Sequence, residues 1–255
     1  DGFKPTQRKA VHAANKIWRT GSEKPMKVYQ FTGMMASTCA YHHGDVSANA
    51  AVIGMAQRFR NSLPLFEEIG QFGSMRSPEA GAPRYISTRL TDSFRALYKD
   101  FDLLEYKEED GLTIEPRFML PVVPSVLLNG GSGIAVGFAS NILNREPVEL
   151  AKSCLRVLSG KRAKTPLPWW RDFRGEVTEP SPGTYRFAGI VERVNTSTVR
   201  VTELPPSMTF AKYEALLDLL EERGIIKGYV DNSSDRPDYT LKFARADLAR
   251  PEANG

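Results

Sequence analysis

Apolar residues recur at three- and four-residue spacing near the start of the chain, at Ala10, Val11, Ala14 and Ile17. That period predicts a helix over 5–18, and Pro5 suits its first turn, where a missing N–H costs nothing. A second helical stretch covers 27–40 (KVYQFTGMMASTCA), and a third runs from Asp45 or Ser47 to Phe59. Either Asp45 or Ser47 can cap the third helix. Its apolar side is Ala51, Val52, Met55 and Ala56, which leaves Ser47, Asn49, Gln57 and Arg58 for another surface. Two helices joined by the short turn YHHGD predict a helix-turn-helix, whose second helix enters a major groove. The short polar side chains here suit backbone and shape contacts.

Farther along, glycines and prolines break the chain over 70–83. Residues 84–90 then read as extended, and 91–98 as a short helix with Thr91 or Asp92 near its N-cap. Residues 118–144 carry no charge, but Pro121, Pro124, Asn129, Gly130, Gly131, Gly133 and Gly137 interrupt them. Such breaks predict a buried strand-turn-strand, not a membrane helix. A helix is expected over 147–158, and Trp169 and Trp170 are expected to pack a domain corner. Residues 185–194 and 198–202 alternate like paired strands joined by Asn195, Thr196 and Ser197. A proline break, an amphipathic helix and a last strand over 239–244 complete a mixed α/β fold.

Composition adds bounds. With 255 residues, 41% hydrophobic and 25% charged, the chain can form one large globular domain or two medium ones. Two cysteines, Cys39 and Cys154, are too few for a disulfide framework or a zinc site, which predicts a reducing intracellular setting. The opening DGFKP has no signal-peptide pattern and reads as a start within a longer chain. Net charge is +4, but residues 1–60 hold nine Lys and Arg against three acids, a net of +6. Such a region is a polyanion site or a solvated basic surface.

The loop at 70–90 delivers Arg84 and Tyr85 side by side. A tyrosine phenol titrates near 10 and is mostly protonated at neutral pH. A neighbouring arginine favours a phenolate and can hold a phosphate, so the pair points to attack on a phosphodiester. By pattern alone, Tyr85 also reads as a half-buried strand residue. Lys4, Arg8 and Lys9 cluster at the start of the first helix, where unpaired N–H groups suit phosphate. His42 and His43 are too few for a metal site and read as a surface turn or as phosphate contacts near Tyr85. Asp100, Asp102 and Glu108 to Asp110 read as solvated faces. Gly131, Gly133 and Gly137 give a GxGxxxG spacing, a weak match to a dinucleotide loop.

DGFKPTQRK, AYHHGD, MAQ, PLFEEIGQFGS, GAPRYI and LLNGGSGIAVGFASNI follow one another in that order. Together they resemble the breakage-reunion core of type IIA DNA topoisomerases, over nearly the whole chain. That family includes the bacterial gyrase A subunit, the eukaryotic enzyme and the medium subunit of T-even phage topoisomerases. HHGD without an intervening proline, and TELPP, are most like the eukaryotic and phage members. The resemblance implies a winged-helix DNA-cleavage domain at 1–122 and an α/β tower domain at 123–255. It implies that Tyr85 is the nucleophile, linked to the 5′ end of the cut strand, and that Arg84 stabilises the phosphate in the transition state. By the same resemblance His43 lies near the scissile phosphate, and Lys4, Arg8, Lys9 and His42 contact DNA. Ser47 lies on the groove-inserted helix, and Ile134 wedges between base pairs.

The resemblance also implies partners: double-stranded DNA, a second copy of the chain, and a Toprim- and ATPase-bearing subunit or domain. Mg2+ is then held by the Toprim acidic cluster, outside this chain, and ATP by a separate ATPase part. The setting is the cytoplasm of a bacterial host or a nucleus, with no membrane. A coiled coil and lower dimer gate are expected beyond the stretch 250–255. Val46 and Ala50 stand where bacterial members usually carry the Ser and the acid that contact quinolones, so quinolone-stabilised cleavage is expected to be weak. The alternatives are a non-enzymatic helix-turn-helix DNA-binding protein and a nucleotide-dependent enzyme using the glycine loop.

Overall fold

The computed structural model describes residues 1–244, and the expectations about 250–255 lie outside the described residues. The fold is mixed α/β. It divides into two compact units. The first is Asp1–Gly73 with Glu79–Arg171, and the second is Ser74–Pro78 with the chain from Asp172 onward. The 122/123 boundary read from the sequence falls inside the first unit, because Leu128 and Leu150 belong to its core.

The first unit opens with α1 (Pro5–Ile17), α2 (Val28–Thr38) and α3 (Asp45–Ala56), which pack on one another. Ala10, Val11 and Ala14 are buried as the spacing predicts, and their small side chains let α1 lie close to its neighbours. Trp18, just past α1, meets Phe31 at 4.9 Å between ring centroids, and Phe31 meets Phe66 at 5.7 Å. Each such buried aromatic contributes about 1.5–3 kcal/mol. The N-cap of α3 is Gly44, not Asp45 or Ser47, and no side chain caps it. Asn49 and Gln57 are buried, against the sequence reading. Thr32 Oγ1 donates to Asn49 Oδ1 at 2.8 Å, and Gln57 Nε2 donates to the Phe72 carbonyl at 2.7 Å. Polar side chains enter a core when a partner is built for them.

Strand β1 (Met26–Lys27) pairs with β2 (Ser87–Thr88), so 84–90 is extended only in part. Thr91 caps α4 (Asp92–Leu97), its Oγ1 accepting from Phe94 N–H at 3.2 Å. The acidic stretch comes next. It forms one turn of 3-10 helix, Phe101–Leu103, then a hairpin of β3 (Tyr106–Glu109) and β4 (Leu112–Pro116). After α5 (Ser125–Leu128), β5 (Gly131–Ala135) and β6 (Phe138–Ile142) form another hairpin. The uncharged stretch is thus strand-turn-strand, but its tip is exposed, not buried. Helix α6 (Pro147–Leu158) follows as predicted, and no helix among the described residues is long and apolar enough to cross a membrane.

The second unit opens with the hairpin of β7 (Glu176–Ser181) and β8 (Thr184–Ala188). Beyond it lie β9 (Ile190–Arg193), β10 (Thr198–Glu203), α7 (Phe210–Glu222), β11 (Gly228–Asp231) and β12 (Tyr239–Lys242). The antiparallel sheet order is β11-β12-β10-β9. Residues 185–194 are therefore two strands in two sheets. The break is Gly189, where a Cβ would collide with the Glu203 carbonyl oxygen. Val199, Val201, Tyr239 and Leu241 form the sheet side of the core, and Phe210 and Leu217 the helix side.

His12 on α1 is buried, with its ring 5.5 Å from that of Tyr106. Burial, with help from Lys16 and Lys9, pushes its pKa down to about 4 against an opposing pull from Glu115. The folded ring stays neutral while the unfolded one gains a proton near pH 6.5, so this stability is lost as pH falls from about 6.5 toward 4. Denaturant unfolding at pH 5 should therefore give a stability lower by about 2 kcal/mol than at pH 7.5. His12→Gln should remove that difference, and an unchanged pH dependence in the variant would assign it elsewhere.

Candidate functional site

The first N–H groups of a helix lack intrahelical partners. Those of α2 are taken by the turn that carries Arg84 and Tyr85. Val28 N–H donates to the Ile86 carbonyl at 3.1 Å, and Tyr29 N–H to the Pro83 carbonyl at 3.1 Å. Lys27 Nζ donates to the Tyr85 carbonyl at 2.8 Å. The turn itself is closed by Tyr85 N–H donating to the Ala82 carbonyl at 2.8 Å. On its far side, Ile69 and Ser87 exchange backbone hydrogen bonds of 3.1 and 2.8 Å. The main chain of Tyr85 is thus held from two directions.

The side chain is not. Tyr85 is 73% exposed, which corrects the half-buried strand reading. Arg84 is exposed beside it, and it makes no ion pair among the described residues. A held backbone with open side chains suits a group that must meet an external phosphate.

His42 and His43 lie in the turn between α2 and α3, where Ala40 takes a φ of 46°. His43 meets the Tyr41 ring edge-on at 5.5 Å and lines a groove of about 800 Å³ with Met26, Tyr29 and Asp45. Met26 of β1 and His43 line the same groove. His42 points elsewhere, its Nε2 standing 2.7 Å from Glu109 Oε1 on the β3–β4 hairpin. Ser47, Val46 and Ala50 are exposed on the first turns of α3.

The three basic residues of α1 separate. Lys4 is exposed at the helix start. Arg8 forks onto both carboxylate oxygens of Asp1, at 3.1 and 2.9 Å. Lys9 stands 2.9 Å from Glu115 Oε2, in a pair whose side chains are 13% and 2% exposed. Lys107 holds the other oxygen of Glu115 at 3.0 Å. Of these three expected DNA contacts, Lys4 alone is presented without a carboxylate partner among the described residues.

Ile134 lies near the tip of the β5–β6 hairpin and is 94% exposed. The hairpin base is fixed to the chain just after α3. Asn129 exchanges two 2.8 Å hydrogen bonds with the Leu63 backbone, and Asn144 Nδ2 donates to the Arg60 carbonyl at 2.9 Å. Gly130 has a φ of 65°, and a Cβ there would strike the Ile142 carbonyl, so only glycine fits. The glycine spacing belongs to a β-hairpin with no helix following it directly, which removes the dinucleotide reading. The sequence reading missed Lys27, Asn129 and Asn144. Asparagine beside Gly130 was the one visible signal of a built turn.

Asp100 precedes the 3-10 turn and Asp102 lies within it, and Glu108, Glu109 and Asp110 lie on the β3–β4 hairpin. Among the described residues, no three His, Cys, Asp or Glu converge to hold a metal ion. The acids among the described residues do not converge as a Mg2+ site requires.

The family model for the A subunit of DNA gyrase/topoisomerase IV matches residues 1–252. DNA topoisomerase 2 of Plasmodium falciparum is 34% identical over 266 residues, covering 100% of this chain and 19% of that protein. DNA topoisomerase 2 of Arabidopsis thaliana is 38% identical over 269 residues, covering 99% of this chain and 18% of that protein. A crystal structure of the Plasmodium falciparum topoisomerase II DNA-binding, cleavage and re-ligation domain is similar with a TM-score of 0.91 and 33% identity. That likeness covers 97% of this chain and 35% of the solved one. The chain spans about a fifth of the length of the curated relatives it matches. With almost every residue inside the family match and a fold in agreement, the chain belongs to the DNA gyrase/topoisomerase IV A-subunit family.

Proposed function

We propose that this chain is the DNA-binding, cleavage and religation core of a type IIA topoisomerase. The observation that carries the reading is the Arg84–Tyr85 turn, pinned by its backbone and open at its side chains. Tyr85 Oη attacks a DNA phosphorus, the P–O3′ bond breaks, and the 3′ oxygen leaves as a hydroxyl with a proton. The phosphate stays on tyrosine at the 5′ end of the strand. Return of the 3′ hydroxyl to phosphorus expels tyrosine and reseals the strand, so no nucleotide is consumed in ligation. Arg84 offsets the charge that grows on the phosphate oxygens. His43 holds the scissile phosphate or takes the proton.

In this reading α2 and α3 form the helix-turn-helix of a winged-helix domain, with Ser47 facing the duplex. Lys4 and His42 contact the backbone, and Arg8 and Lys9, engaged with carboxylates, support the same face. Ile134 inserts between base pairs and bends the duplex. The second unit serves as a tower domain under the DNA arms. Two copies act together, one tyrosine per strand, in the cytoplasm of a bacterial host or in a nucleus. Mg2+ would be held by a Toprim part outside this chain, where it would supply positive charge, and ATP by a separate ATPase part.

Tyr85→Phe should abolish covalent protein–DNA adducts while leaving duplex binding within about twofold. The assay includes the Toprim-bearing part and Mg2+: a variant that still forms adducts there has another nucleophile, and a wild-type protein that binds DNA but forms none under those conditions is a simple helix-turn-helix binder. Arg84→Ala should lower adduct formation by roughly 10²–10³-fold, the scale of losing one charge-stabilising donor. Ile134→Ala should reduce the bend of bound DNA, read by end-to-end energy transfer, and a full bend in the variant would rule out the wedge. Fluoroquinolones should leave cleavage nearly unchanged, since exposed Val46 and Ala50 offer neither hydroxyl nor carboxylate. Stimulation at gyrase-like drug levels would contradict this.

A further inference from the structure

The loop ahead of Tyr85 changes allegiance. Gly73 and Glu79 belong to the first unit, yet the five residues between them, Ser74–Pro78, belong to the second. Met75 packs against the core of the second unit. Arg76 is the fastening. Its Nη2 donates to Asp231 Oδ2 at 2.8 Å and its Nη1 to the Ser233 carbonyl at 2.8 Å. Its guanidinium also stands over the Phe210 ring, 5.5 Å from the centroid. Asp231 ends β11 and Phe210 begins α7, so one side chain grips both layers of that unit. The hydrogen bond to Asp231 holds the Arg76 guanidinium above the usual arginine range.

The chain on either side of this fastening has little slack. Ser74 N–H donates to the Ser77 carbonyl at 2.8 Å, and Ser77 N–H to Ser74 Oγ at 3.2 Å, which closes the segment on itself. Gly81 N–H is shared between the carbonyl and the side-chain oxygen of Gln71, at 2.9 and 2.8 Å. Pro78 and Tyr85 are seven positions apart, and Pro78 and Pro83 stiffen the stretch between them.

We infer that Arg76 is a positioning residue: by anchoring the 74–78 segment through Asp231, Ser233 and Phe210, it limits the freedom of the chain that leads to Tyr85. Exposed ion pairs contribute little stability on their own, so this one is worth more as a locator than as a brace. Chemistry is sensitive to such placement, since a shift of about 1 Å in a reacting group can cost up to about 10²-fold. The inference rests on Tyr85 as the nucleophile, and one of its readouts does not.

The test uses the complete enzyme carrying this chain, with three measurements: single-turnover adduct formation at saturating duplex DNA, the DNA dissociation constant, and amide hydrogen exchange over 79–86. Arg76→Ala should slow adduct formation roughly 10- to 100-fold, keep the dissociation constant within about twofold, and speed exchange over 79–86. Exchanging the charges, Arg76→Asp with Asp231→Arg, should restore most of the adduct rate. Arg200→Ala, which breaks the Arg200–Asp238 pair in the same unit, should change neither readout. Unchanged exchange in Arg76→Ala, an equal loss in Arg200→Ala, or no recovery in the charge exchange would overturn the role. If the wild-type enzyme forms no adduct, the reading of Tyr85 fails, while exchange over 79–86 still decides whether Arg76 holds the loop.

Discussion

The unpaired N–H groups at the start of α2 are the constraint on which the site depends. A helix beginning at Val28 must find acceptors for them, and the carbonyls of Pro83 and Ile86 provide two. That requirement does two things together. It satisfies a helix end that would otherwise be left to water, and it fixes the main chain on both sides of Arg84 and Tyr85. Because the backbone carries the load, neither side chain is needed for the fold. Both are left to solvent, on a turn whose backbone is bonded to the start of α2 and, just past Tyr85, to Ile69.

Charge is partitioned by the same logic. The basic cluster at the start of the chain looks uniform in sequence, but a buried carboxylate at Glu115 draws in Lys9 and Lys107, and Asp1 draws in Arg8. A carboxylate with almost no exposure demands full compensation, so its partners are committed to it. Lys4 and Arg84 have no such claim on them. The difference between a structural cation and an available one is set by what lies underneath, which composition does not show.

The helices were legible because period and end signals agree. Pro5 in the first turn, the alanine stripe of α1, Thr91 before α4 and the bounds of α6 follow from local chemistry alone. The order of short motifs made the family legible, as the match over residues 1–252 shows, and the proposal for Arg84 and Tyr85 is built on that resemblance. Long-range pairing was not. Residues 185–194 read as one strand because alternation continues across Gly189, and only the close approach of the Glu203 carbonyl shows why they divide. Asn49 and Gln57 read as surface residues because their partners, Thr32 and Phe72, come from elsewhere in the chain. The exposure of the β5–β6 hairpin was missed for the opposite reason. An uncharged run reads as buried, and this one stands in water.

That hairpin has a thermodynamic consequence. Ile134, Val136 and Phe138 all stand exposed on an element without a charged residue. In the proposed complex the wedge leaves water for the base stack, a transfer that removes apolar surface and releases no counterions. Binding would then carry two separable signatures. The phosphate contacts weaken as salt rises, whereas the wedge contributes a negative heat-capacity change that salt leaves largely untouched. A duplex held this way keeps part of its grip at ionic strengths that would strip a purely cationic surface.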